Sequence, residues 1–171
     1  MAKILTAFFS MSGETYADGG VINLEKGFTH MAAEFIQEAV GGDLFRIEQV
    51  RVYSTDHFKM IQEAKEELNS DARPELKRDL DSLEDYDTVF LGFPNWWNTL
   101  PMPVVTFLTR HDFTGKRIIP FNTSGGGGFG KSLNAIEKYA GGAQIAEGLT
   151  VHGTRVEDSE MTIKQWAAAQ A

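Results

Sequence analysis

The chain has 171 residues, 42% of them apolar, no cysteine, and a formal net charge of −8. That length can bury a substantial core as one domain, expected to span 1-171, without a disulfide or structural metal. The missing cysteines exclude thiolate zinc sites, iron–sulfur ligation and a cysteine nucleophile, and the acidic balance speaks against nucleic acid or an anionic membrane as partner. The apolar run after Lys3 stops at Phe9, short of a secretory segment, and nothing else approaches a membrane span, so the expected setting is cytoplasmic.

Ile4 to Phe9 reads as a buried strand that breaks abruptly into Ser10-Met11-Ser12-Gly13. Phe28, Met31, Ala32, Phe35, Ile36, Ala39 and Val40 then recur at the spacing of an amphipathic helix, closed by Gly41-Gly42. Strand, hydroxyl-rich turn and helix start together make a place for a phosphate, because the first helical turn offers unpaired N–H groups and the positive end of its dipole. Ser10, Ser12 and Thr29 add hydroxyl donors. Neither Ser10-Met11-Ser12 nor Gly27-Phe28-Thr29 holds a Lys or Arg, so a phosphate there is expected to be bound by dipoles and hydrogen bonds rather than by an ion pair.

Leu44 to Val50 alternates like a strand with one wetter face, near a sheet edge. Thr55 or Asp56 caps a helix through Met60, Ile61, Ala64 and Leu68 that ends at Ala72-Arg73-Pro74, and Leu76, Leu80 and Leu83 suggest a further amphipathic turn or two. Thr88 to Phe93 is an unbroken apolar run, the mark of a central parallel strand. It empties into Pro94-Asn95-Trp96-Trp97-Asn98-Thr99, and Pro101 and Pro103 open the next helix. Lys116 to Thr123 is the fourth strand, with Pro120 an objection because proline cannot donate to a ladder. A glycine loop from Ser124 to Gly130, a helix from Lys131 to Ala140, a fifth strand from Gln144 to His152 and a last helix from about Ser159 complete the chain.

Five strands alternating with helices imply an α/β, three-layer, doubly wound parallel sheet in the order 2-1-3-4-5. Ligands in such sheets sit beyond the C-terminal strand ends, where the loops Ser10 to Thr29, Pro94 to Thr99 and Ser124 to Gly130 converge. Adjacent indoles at Trp96 and Trp97, bracketed by Asn95 and Asn98, suit a flat partner, and glycines after a buried strand let backbone N–H groups approach a ligand closely.

These residues resemble the flavodoxins, in particular flavodoxin-like bacterial proteins with a Trp-Trp loop after the third strand. The family's Thr/Ser-x-Thr-Gly-x-Thr loop is matched by Ser10-Met11-Ser12 joined to Gly27-Phe28-Thr29, with Gly13 to Lys26 inserted between them. The likeness continues through Gly92 to Pro103 and Pro120 to Gly126 and covers nearly the whole chain. It implies a flavodoxin-like fold binding flavin mononucleotide (FMN) as cofactor. Ser10, Met11, Ser12, Gly27, Phe28 and Thr29 would hold the phosphate, with Thr29 donating to it. Pro94, Asn95, Trp96, Trp97 and Asn98 would flank the isoalloxazine ring, together with Thr123, Ser124, Gly125, Gly126, Gly127 and Phe129. Asn98 stands where relatives often have glycine and must tolerate left-handed backbone geometry. The insertion is read as a surface excursion, the sharper reading being a lid through Tyr16.

The implied function is electron transfer through a non-covalently bound flavin, with no separate catalytic residue and no metal. The alternative is an NAD(P)H-dependent quinone or related FMN reductase. The partner is a redox protein or a small-molecule acceptor, and the chain is a monomer or homodimer. Gly125 to Ser132 also satisfies the P-loop pattern G-x-x-x-x-G-K-[ST], which makes an ATPase a remote alternative, but neither the third nor the fifth strand ends in the Asp that would hold magnesium. A phosphoacceptor on the same fold would need Asp where Ser10 and Pro94 stand. His30, His57, His111 and His152 lack metal-ligand spacing and read as surface or helix-end residues.

Overall fold

Residues 3–171 are described in the structure, a computed structural model of the chain. In chain order the first half contains β1 (Ile4–Phe8), β2 (Gly13–Ala17), β3 (Gly20–Leu24), α1 (Phe28–Val40), β4 (Asp43–Arg46) and α2 (His57–Asn69). The second half contains β5 (Thr88–Pro94), α3 (Met102–Arg110), β6 (Arg117–Ser124), α4 (Ser132–Tyr139), β7 (Gln144–Ile145), β8 (Leu149–His152) and α5 (Glu160–Gln170). The main sheet runs β4-β1-β5-β6-β7, with β8 also on β6, and every pairing in it is parallel. This is the 2-1-3-4-5 order, with its last strand in two pieces.

Alternation along the strands supplies a core on each face. Leu5, Ala7, Val89, Leu91 and Phe93 pack with Met60, Val104, Phe107, Leu108 and Ile136 from α2, α3 and α4. Phe8, Phe90, Ile119 and Phe121 pack with Ala32, Ala33 and Ile36 of α1 and Ile163 and Ala167 of α5. With both faces covered, β1, β5 and β6 are fixed in register, and their C-terminal ends form one rim.

The objection raised by Pro120 resolves in the break between β7 and β8. In a parallel ladder the N–H and C=O of one residue face the same neighbour, and Ile118 O accepts from Ala146 N at 2.8 Å, so residue 120 also faces the fifth strand. There the strand is interrupted over residues 146–148, and Gly148 lies so close that a Cβ on it would stand 2.6 Å from Pro120 O. No donor is missed because no strand pairs at that point.

Three expectations are corrected. The insertion is an antiparallel hairpin, β2 paired with β3 around Asp18-Gly19, both at positive φ (51° and 86°). No helix forms around Leu76, Leu80 and Leu83. After Pro74 the chain lies extended beside residues 48–50 instead, with Val50 N donating to Glu75 O (2.7 Å) and Lys77 N to Glu48 O (2.8 Å). The same side-by-side run explains why β4 stops at Arg46: Gln49 bridges Leu76 rather than β1. Among the described residues, no helix is long and apolar enough to cross a membrane.

Gly92 fixes how β5 and β6 lie together at the rim. A Cβ on it would come 2.2 Å from Cζ of the Phe121 ring, which lies across the glycine. Gly92→Ala is therefore expected to destabilise the fold by about 1–3 kcal/mol through overpacking. The measurement is the urea midpoint, and an unchanged midpoint would show that the ring can move aside.

Candidate functional site

At the C-terminal rim of the sheet lies a cavity of about 520 Å³. One part of its wall comes from strand-end loops: Pro94 to Trp97 after β5, Thr123 to Gly125 after β6, and Phe28 at the start of α1. The rest comes from elements outside the site residues named from sequence, although the lid reading of the insertion had pointed to Tyr16. The hairpin contributes Thr15 to Gly19, α2 contributes His57, Met60, Ile61 and Ala64, and residues 152–154 close the far side. The insertion is thus a wall of the cavity rather than a surface excursion. It is held by the Glu14 carboxylate, which accepts from His57 N at the start of α2 (2.9 Å), and by Tyr16, whose ring stacks on His57 at 6.2 Å.

The two halves of the split first loop do meet. A Cβ on Gly27 would lie 2.2 Å from Ser10 Oγ and 2.4 Å from Met11 O, so only glycine allows the start of α1 to sit on the Ser10-Met11 turn. Ser10 Oγ accepts from His30 N at 3.1 Å. Among the described residues, the N–H groups of Phe28 and Thr29 find no acceptor and are left at the positive end of α1. The hydroxyl of Thr29 is differently engaged: it is buried and shares a 2.8 Å hydrogen bond with the Thr123 hydroxyl. Ser12 is exposed, Met11 packs on the core, and of the six first-loop residues only Phe28 lines the cavity, so the turn lies beside the cavity and not within it. The absence of a cation, expected from the local sequence, does not hold in space. Arg46 at the end of β4 donates through Nη2 to Ser10 O at 3.3 Å.

The loop after β5 is a tight hairpin in which Trp96 and Thr99 exchange both backbone hydrogen bonds at 3.1 Å. Trp97 (φ 51°) and Asn98 (φ 65°) occupy its corners in left-handed geometry. Asn98 was expected there; a tryptophan in that region is costly and needs restraint. Trp97 Nε1 donates to Ile61 O at 2.7 Å, the Lys65 ammonium lies 4.6 Å from its ring centre, and Asn98 O accepts from Lys131 N at 2.7 Å. The indoles part company: Trp97 is 42% exposed at the cavity mouth, while Trp96 is half-buried, edge-on to Phe9 and Tyr53. Asn98 turns away from the cavity, against Gly130.

In the glycine loop, Ser124 Oγ accepts from Gly126 N (3.4 Å) and Gly128 N (3.1 Å), and Gly128 O accepts from the amides of Asn95 (2.8 Å) and Asn122 (2.7 Å). The amides of Gly126 and Gly128 are thus turned inward on Ser124 and not toward a ligand. Lys131 is exposed at the start of α4, and its own N–H is taken by Asn98. Gly125 reaches the cavity, whereas Gly126 and Gly127 do not line it and Phe129 packs inward on Phe93. Of the four histidines, His57 and His152 line the cavity, His111 pairs with Asp79 at 2.7 Å and His30 with Glu34 at 3.0 Å.

The flavodoxin family profile matches residues 3–169. This chain is a member of the flavodoxin family. A provisionally assigned flavoprotein from Bacteroides uniformis is 32% identical over 96% of this chain and 97% of its own, with a TM-score of 0.78. A second, from Bacteroides eggerthii, is 30% identical over 95% and 98%, with a TM-score of 0.72. A flavoprotein in complex with FMN from Lactobacillus acidophilus shares the fold at 20% identity, over 92% and 98%, with a TM-score of 0.65. A search of curated proteins returns no match.

Behind Trp96 this flavodoxin-family chain buries a polar network that no local motif announces. The Tyr53 hydroxyl donates to Glu67, both groups are nearly inaccessible, and Arg51 reaches Glu67 at 3.4 Å and Glu63 at 3.0 Å. Burial pushes the Glu67 carboxyl above its ordinary 4.5, only partly offset by Tyr53 and Arg51, and burial together with the carboxylate pushes the Tyr53 hydroxyl up as well. For an acid whose folded value is raised, its contribution to stability is fully present below the unfolded value and is lost as pH rises through the folded one. Glu67→Gln should therefore gain in stability relative to wild type as pH rises above the ordinary carboxyl value of 4.5, read from paired urea melts at a series of pH values. A constant difference across that range would mean that Glu67 folds with its ordinary pKa.

Proposed function

We propose that the chain binds one FMN non-covalently and passes electrons through it, the ring lying in the rim cavity and the phosphate at the turn beside it. The observation that carries this reading is the juxtaposition of a roomy, partly aromatic cavity with a helix start whose Phe28 and Thr29 N–H groups have no acceptor among the described residues. The fit is good at both ends. Cavities of this size, mostly apolar with a few convergent polar groups, suit a cofactor ring, and the unpaired amides suit a phosphate. The FMN held by the Lactobacillus acidophilus neighbour on the same fold supports the choice of flavin.

In this reading Phe28 and Thr29 bind the phosphate through their backbone, Ser12 adds a hydroxyl, and Ser10 orients the turn by fixing His30 N. Trp97 offers a ring face at the cavity mouth, and Asn95 positions the glycine loop through Gly128 O. The hairpin and α2 exclude water from the side opposite the strand ends. The flavin, when bound, supplies the redox chemistry, and the protein sets its orientation and electrostatic surroundings.

A second reading, a reductase delivering electrons to a small molecule, is favoured by the hairpin. A carrier that serves protein partners gains from an open flavin edge, whereas here Thr15 to Gly19 and α2 wall the cavity on one side. Two experiments test these readings. Titration of the flavin-free protein should give one FMN per chain and weaker riboflavin binding by roughly ten- to a hundredfold, the worth of charge-assisted hydrogen bonds to a phosphate. Equal affinity for the two flavins would remove the phosphate assignment. Anaerobic oxidation of NADH or NADPH that requires a quinone would select the reductase; no oxidation with either would select the carrier.

A further inference from the structure

Around the first loop, the cations can be accounted for one by one. Lys26 pairs with Glu34 at 2.7 Å, and the same carboxylate lies 3.0 Å from His30 Nε2, so both are locally balanced. Lys77 holds Glu48 at 2.9 Å, and this hydrogen bond is the main reason the Glu48 carboxyl lies below its ordinary range. Arg46 is the least fully engaged. Its Nε makes only a long 3.8 Å ion pair with Glu48, a carboxylate already held by Lys77, and that atom is buried without a hydrogen-bond partner while the side chain as a whole stays 32% exposed. Its one hydrogen bond among the described residues is the 3.3 Å contact from Nη2 to Ser10 O. A guanidinium carries five donors, and a buried unsatisfied one is costly enough to need an explanation.

The placement of Arg46 supplies one. It stands opposite Phe8 in the β1–β4 register, Phe8 packs on the His30 ring at 4.8 Å, and its charge, after burial and the opposing pull of Glu34, helps depress the His30 pKa. The guanidinium thus meets, from the β4 side, the Ser10 turn on which α1 begins and whose hydroxyl holds His30 N. We propose that Arg46 is a specificity-determining residue that reads the negative charge of the flavin phosphate, turning a hydrogen-bonding turn into one that selects the phosphorylated flavin. The inference rests on the FMN reading above. It adds a residue remote in sequence from both halves of the loop and contradicts the expectation of a phosphate held without an ion pair.

The test compares FMN and riboflavin binding in wild type, Arg46→Gln and Arg46→Lys, by flavin fluorescence quenching at low and moderate salt. Arg46→Gln should weaken FMN roughly ten- to a hundredfold, as expected for one charge-assisted contact, while leaving riboflavin within about twofold. The salt dependence of FMN binding should become shallower, and Arg46→Lys, which keeps the charge, should restore part of the preference. A merely structural role, exerted through Ser10 O, would weaken FMN without making its salt dependence shallower, and that result overturns the proposal. Wild type that prefers FMN, with the same preference in Arg46→Gln, overturns it alone. Wild type that binds both flavins equally overturns the phosphate reading and this proposal together.

Discussion

The contact on which the site depends is the one between Gly27 and the Ser10-Met11 turn. Fourteen residues' worth of chain, Gly13 to Lys26, leaves the sheet between them and returns, yet α1 begins directly on the end of β1 because nothing larger than hydrogen projects from Gly27. A methyl group there would push the helix away from the turn and separate the Ser10 hydroxyl from His30 N. The hairpin can therefore be carried as an addition to the loop without displacing the helix start. It adds one two-stranded ribbon and leaves the order of the parallel strands unchanged.

From that point the rest of the rim is built by mutual restraint rather than by any one strong interaction. The loop after β5 puts two residues other than glycine into left-handed geometry, and it is pinned on one side by α2 through Trp97 and on the other by the start of α4 through Asn98. The glycine loop after β6 closes on Ser124 and is drawn toward the same region by Asn95 and Asn122. Each loop thus holds its neighbour, and the cavity keeps its shape through short hydrogen bonds between segments far apart in sequence. Sites held this way are pre-organised before a ligand arrives.

What was legible in the sequence follows from this division. The central strands and α1, α3 and α5 announce themselves because burial on both faces, or on one stripe, leaves a period that can be counted. The order of the sheet followed from their alternation. The hairpin escaped because both its faces remain partly wet, as the exposure of Tyr16, Val21 and Ile22 shows, so it has no hydrophobic period; the Asp18-Gly19 pair was the available signal, a dipeptide suited to a two-residue hairpin turn. The leucines at 76, 80 and 83 misled because helical spacing also fits a chain that lies extended and buries the same side chains one at a time. Arg46 and the Tyr53–Glu67 pair could not be found from spacing, since each matters through a partner that only the fold brings near.

The interrupted fifth strand has a meaning beyond accommodating Pro120. A parallel sheet of this kind ends in two edges, and a long, flat edge invites another chain to add to it. Here one edge offers ladders of only two and four residues, separated by Gly148, and the other is a four-residue strand that gives way to a segment already paired with residues 75–77. Neither edge presents an uninterrupted row of free donors and acceptors long enough to template growth. The irregularities that most disturb the pattern of the sheet therefore also leave neither of its edges a long template for another strand.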